Sequence, residues 1–236
     1  MICDKDFLEL LSQCDSAFRN LKSFSEDIKL DIILCESEEE LYKKRCDLTS
    51  FLPAKELLLR NKNQYIKAAG CFVIPPIANQ FTVLLKRTEN NFYDCYNYIH
   101  ELVHISNYLD YLTVTNFRDH IEPYKNNDFF LWDEYNARYV STCVIIGMFQ
   151  QIVDIEDLSH CIRIICDVLR KDVNEKNINS YDGSQLLGAI EAAFEKSIVK
   201  NYSDYLSPSE IEVLKYYKNL TDISCFVNTD AEGEEK

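Results

Sequence analysis

The chain has 236 residues, 47% of them apolar, and carries a net charge of −14 at neutral pH. That length is enough for one well-packed domain. An acidic balance without any Lys/Arg cluster argues against a nucleic-acid partner, whose phosphates need concentrated positive charge. Five glycines and five prolines are few turn-formers for this length, which predicts a mainly helical chain with few hairpins.

Phe7, Leu10, Leu11, Cys14, Phe18 and Leu21 recur at helical spacing and predict a first amphipathic helix. "IKLDIILC" (28–35) alternates and then runs apolar, as a strand does. "ESEEE" follows as an acidic helix start, favourable at the positive end of the helix dipole. Helical sequence continues to about Arg60 with an interruption near Pro53. "CFVIPP" (71–76) and "FTVLLKR" (81–87) read as two strands joined by a proline-containing turn. Helices are then expected near 91–113, 129–150, 155–171, 184–200 and 208–219, before an acidic tail, 226–236, expected to be disordered. The fold class expected is therefore α+β and mostly helical, with a small three-stranded sheet, in a single domain over 1–225 with helical extensions at both ends.

The ten cysteines include no CxxC pair, which leaves a cysteine-zinc site without support. Cys14, Cys95 and Cys161 fall at apolar helix positions, where a thiol acts as a small hydrophobe. Asp4, Lys5, Asp6 and Glu9 stand where a signal peptide would need an apolar stretch, and no apolar run approaches transmembrane length. These features predict a reduced, cytoplasmic protein with no membrane partner.

"YIHELVHISNY" (98–108) holds half of the chain's four histidines, His100 and His104, with Glu101 directly after the first. A helix turns by about 100° per residue, so residues four apart are only about 40° apart on its surface. Both imidazoles can then reach one ion. Glu101, about 100° round from His100, can touch a metal-bound water without being a ligand. This is the chemistry of HExxH: two neutral histidines hold zinc and the glutamate takes the water's proton. Cys95, Ile99, Leu102, Ser106 and Leu109 form a mostly apolar stripe for the core. Tyr96, His100, His104, Asn107 and Tyr111 form a polar and aromatic stripe, expected to face a cleft.

Two histidines do not complete a zinc site, and the residues offer two third ligands. A metzincin-like spacing would use Asp110, with Asn107 where that pattern has glycine; on an unbroken helix, however, Asp110 lies about 240° round from His104. A gluzincin plan would take a glutamate from a second helix. "LWDEYNARYVST" (131–142) offers Glu134, with Ala137 and Ser141 keeping its helix face small. Without the histidines, Asp133 and Glu134 would read as first-turn acids favoured by the dipole.

HELVH, followed at this distance by "EYNARYVS", resembles the ImmA/IrrE-type metallopeptidases of bacteria and their mobile elements. Those proteins pair HExxH with a second-helix glutamate in a pattern like E-x-x-A-x-x-F-A. Glu134 and Ala137 match it, while Val140 and Ser141 replace the aromatic residue and second alanine, and Val103 replaces a frequent glycine. The resemblance spans roughly residues 70–145. It implies a small sheet flanked by helices, one zinc ion held by His100, His104 and Glu134, and proteolysis with Glu101 as general base. It also implies a protein or peptide substrate, in some relatives a transcriptional repressor. A zinc-containing binding or regulatory protein without useful turnover is the other reading that the motif allows.

Among the remaining residues, His120 in "FRDHIEPY" and Tyr96, Tyr108 and Tyr111 are candidate transition-state donors, although a solvated loop histidine and packing aromatics are the plainer readings. Strand 81–87 is expected at a sheet edge, where an extended peptide could add by backbone pairing. "LSPSEIEVLKYYKNL" (206–220) begins like a helix-turn-helix, but a single helix follows it in acidic surroundings.

Overall fold

The apolar spacing at the N-terminus closes into helix α1 (Asp4–Leu21) in a computed structural model. Phe7, Leu11, Cys14 and Phe18 are buried there, while Leu21, at the helix end, is exposed. The structure describes residues 4–22, 27–50, 52–60, 62, 68–73, 79–88, 90–115, 126–150, 152–220 and 223–226. His120, the proline-containing 74–78 turn and tail residues 227–236 lie outside them.

Strand β1 (Lys29–Cys35) leads to α2 (Glu38–Leu48), whose Ser37 cap accepts from the Glu40 N–H while Glu38, Glu39 and Glu40 fill the first turn. The expected interruption separates α2 from α3 (Leu52–Arg60), which carries Pro53 in its first turn, where a missing N–H costs nothing. β2 (Gly70–Val73) and β3 (Gln80–Lys86) complete a three-stranded sheet. The fold is thus mostly helical with a small mixed sheet, the α+β class expected.

The strand order β1-β3-β2 corrects one expectation. β3 pairs in parallel with β1, from Lys29 opposite Gln80 to Cys35 opposite Lys86, and antiparallel with β2, from Gly70 opposite Leu85 to Val73 opposite Thr82. It is the central strand, with both backbone edges occupied, so no peptide can add to it. The physical reason is legible in hindsight: Val83, Leu84 and Leu85 are consecutive and all buried, as a strand covered on both faces requires. β1 and β2 form the edges. β1 carries Lys29 and Asp31, and charges of this kind discourage further pairing.

The second half is helical: α4 (Asn91–Val114), α5 (Asn127–Phe149), α6 (Ile155–Lys171), α7 (Tyr181–Glu195) and α8 (Pro208–Asn219), with short 3-10 turns at Tyr202–Asp204 and Ile223–Phe226. α7 starts three residues before its predicted position because the Ser180 hydroxyl caps it, accepting from the Gly183 N–H. It also ends early. Ser197 adopts φ 61, and the Ile198 and Val199 N–H groups both return to the Ala193 carbonyl.

Cα packing divides the chain into two compact units, one over Met1–Ile105 and Val144–Ile152, the other over Ser106–Cys143 and Val153–Lys236. In the first, Cys35, Leu41, Cys71, Val73 and Leu84 form a core cluster. In the second, Trp132, Tyr135, Leu186, Ile190, Leu214 and Tyr217 do so, with Phe226 packed on Phe129 and Trp132. Among the described residues the cysteines are all free thiols, most of them buried, and no helix is long and apolar enough to cross a membrane.

Candidate metal centre

Helix α4 starts at a polar knot. Asp94 is buried and accepts from the Thr88 N–H, the Thr88 hydroxyl and the Arg87 guanidinium. From there α4 runs unbroken through both histidines to Val114, so the helical arithmetic of the motif holds. The His100 and His104 Nε2 atoms stand 2.9 Å apart, with their ring planes at 88°.

Glu134, on α5, joins them. One ligand atom from each of His100, His104 and Glu134 lies within 4.8 Å of the other two, and among the described residues no other such group of three occurs. The three residues are 3%, 7% and 5% exposed. Donors that share one ion at roughly 2 Å stand about 3–4 Å apart, so two imidazoles and a carboxylate at this spacing can hold a metal ion. Asp110, the competing ligand, is exposed and outside the group. The helix does not break at Asn107, which a ligand at 110 would have needed. Instead the Asn107 amide is buried, donates to Asp133 Oδ1 at 2.6 Å and accepts from Asn136 Nδ2 at 3.0 Å.

Glu101 is 7% exposed and lies against the start of β2. A Cβ placed on Gly70 would meet Glu101 Cγ and Oε1 at 3.2 Å, so glycine leaves that carboxylate its room. Next in the strand, burial pushes the Cys71 thiol up to about 12, with the Glu101 charge adding to the rise. Cys71 therefore stays protonated at neutral pH and is a poor competitor for an ion.

Two features were not legible in the sequence. Gln185 Nε2, from α7, donates to Glu134 Oε2 at 3.0 Å, and Gln185 Oε1 accepts from Arg138 Nε at 2.7 Å. Arg138 is four residues past Glu134 and so on the same helix face, a spacing that could have flagged it. Gln185 has no local signature. The second feature is the sealing of α4. Every residue from Asp94 to Tyr108 is buried, the polar stripe as fully as the apolar one, where a cleft-facing side was expected. Tyr96, Tyr108 and Tyr111 are buried with it, and the Tyr111 ring packs on Phe129 with centroids 4.6 Å apart. The 206–220 segment forms the single helix α8, anchored in the core by Leu214 and Tyr217.

Comparisons of the chain with protein-family models, curated proteins and solved structures return no match.

Proposed function

We propose that this chain is a zinc-dependent metallo-endopeptidase, cytoplasmic and acting on a protein or peptide. The observation that carries this reading is the meeting of His100, His104 and Glu134 from two separate sequence segments. Two neutral nitrogens and one carboxylate oxygen suit Zn²⁺, and His100, His104 and Glu134 would hold it with room for water. Zinc, when bound, lowers the pKa of that water and polarises a carbonyl. The two histidines contribute Nε2 lone pairs, which requires neutral rings with the proton on Nδ1. Glu101, one residue past the first of these histidines, would accept the water's proton as the water oxygen bonds to the carbonyl carbon, and would return it to the leaving amine as the C–N bond breaks. The resemblance of HELVH and EYNARYVS to ImmA/IrrE-type peptidases supports the same assignment and suggests a regulatory protein, such as a repressor, as substrate.

Replacing Glu101 by Gln tests the mechanism. Glu101→Gln should retain zinc and lose peptidase activity by about 10²–10⁴-fold, the usual worth of a general base. Cleavage at the wild-type rate by this variant would disprove the assigned role. A second reading is favoured by the burial itself, since no residue of the His100, Glu101, His104 and Glu134 set is more than 7% exposed. That reading is a zinc-containing regulatory protein without useful turnover. It gains if wild-type protein binds zinc yet leaves a broad peptide library and candidate repressors uncut.

A further inference from the structure

A glutamine buried in a helix is costly unless both ends of its amide are used. Gln185 is 3% exposed, in a run of α7 otherwise dominated by small and apolar residues, among them Leu186, Leu187, Ala189 and Ile190. Both ends of its amide are engaged, and in a fixed sense. Arg138 can only donate, so the amide oxygen faces the guanidinium at 2.7 Å. The amide NH₂ is thereby turned toward Glu134, an acceptor when ionised, at 3.0 Å. The opposite orientation would set oxygen against carboxylate and NH₂ against guanidinium. Arg138 thus selects the amide orientation that Glu134 requires.

The backbone spacing that delivers Gln185 is set one turn further along α7. A Cβ on Gly188 would stand 2.2 Å from the Tyr135 carbonyl and 3.0 Å from the Tyr139 N–H. Only glycine allows α7 to lie this close to α5, with Gln185 level with Glu134 and Arg138.

We propose that Gln185, oriented by Arg138, is the positioning residue of the metal centre. Its N–H holds Glu134 Oε2 so that the carboxylate keeps one orientation. This inference rests on the reading that His100, His104 and Glu134 bind zinc. Hydrogen-bonded partners of metal ligands fix ligand orientation, and their loss typically costs about 10–100-fold in metal affinity.

The test uses the full-length chain, stripped of metal and titrated with zinc against a chromophoric chelator, alongside urea unfolding of the metal-free protein. Gln185→Met keeps length and removes the donor; it should weaken zinc binding by about 10–100-fold. The visible spectrum of its cobalt(II) form should also shift relative to wild type, a change that lost packing alone would not produce. Arg138→Met, at a half-buried position, should weaken zinc binding by roughly 3–10-fold through the freed amide. The double variant should bind zinc no more weakly than Gln185→Met, because the two residues act in series. Wild-type affinity and cobalt spectrum in Gln185→Met would overturn the proposal. If that variant does not fold, wild-type affinity in Arg138→Met overturns it instead. Additive losses in the double variant would refute the serial arrangement. Absence of zinc binding by the wild-type chain would remove the metal reading and this inference together, an outcome distinct from zinc binding that is indifferent to Gln185.

Discussion

Helices α4 and α6 solve the same problem in opposite ways. In α6, Leu158, Ile162 and Cys166 are buried at every fourth residue, while Ile164 and Val168 remain exposed. This is the ordinary economy of a surface helix: one stripe excludes water and the rest stays solvated. α4 buries its polar stripe along with its apolar one, so Asn97, His100, Glu101, His104 and Asn107 are all buried. Burying a polar group without compensation costs about 1–3 kcal/mol by mutational measures. In α4 the buried polar residues include two members of the group that could hold a metal ion; in α6 the buried positions are accounted for by packing.

The largest effect that would sharpen this contrast is on metal binding. If the proposed zinc site is correct, Glu134→Ala should weaken zinc binding by about a thousandfold or more, since it removes one of the three proposed ligands. Asp110→Asn, on the exposed side of the same α4 that carries the histidines, should leave the site filled. Equilibrium zinc competition on both variants decides between them. The reverse pattern would keep the histidines as ligands and move the third ligand to the metzincin-like position.

Smaller, and confined to stability, is the paired test within α6. Ile162 is 1% exposed and Ile164 46% exposed. Ile162→Ala should destabilise by about 2–4 kcal/mol through lost burial and a residual cavity. Ile164→Ala should stay within about 0.5 kcal/mol. Urea unfolding of the two variants measures the difference, and equal losses would mean that α6 is not one-sided in solution.

How far the sequence reached follows from what is local. His100 and His104 were legible because helix geometry alone brings residues four apart together. Glu134 was legible only in combination with them, and the structure brings all three together. Gln185 was not, because a glutamine carries no periodic or spacing signal and its partner lies on another helix. The start of α7 was misplaced for a related reason. Gly183 looks like a helix breaker, yet it sits inside the first turn because a Cβ there would strike the Ile178 carbonyl at 2.0 Å. Strand order is equally non-local: "FTVLLKR" specifies a buried strand, while its central place depends on a parallel partner far earlier in the chain, Lys29–Cys35. Likewise, periodicity assigns side chains to the sides of α4 but does not say what covers each side.

The smallest effect concerns the far end of α6, where a buried carboxylate is held by an arginine, as Asp94 is at the start of α4. Glu210, at the third position of α8, is buried; it accepts from the Ser207 N–H at 2.8 Å and from Arg170 Nη1 at 2.7 Å, while its own N–H meets the Ser207 hydroxyl. Burial alone would raise its pKa, but the Arg170 hydrogen bond and charge, together with the Ser207 N–H, outweigh it and hold the carboxyl below its ordinary value. A carboxyl with a lowered pKa in the folded state stabilises the fold above its unfolded pKa, near ~4.3, and loses that contribution as pH falls through the folded value. Glu210→Gln keeps one oxygen for the cap, removes the charge and turns the acceptor facing Arg170 into a donor. It should cost about 1–2 kcal/mol at pH 7. The gap from wild type should begin to close below about pH 4.5 and continue closing on further acidification. Urea titrations at neutral pH and at several acidic values measure that gap directly. A gap that stayed constant with pH would show that Glu210 acts through shape and capping, and the ion pair at this end of α6 would then count for nothing.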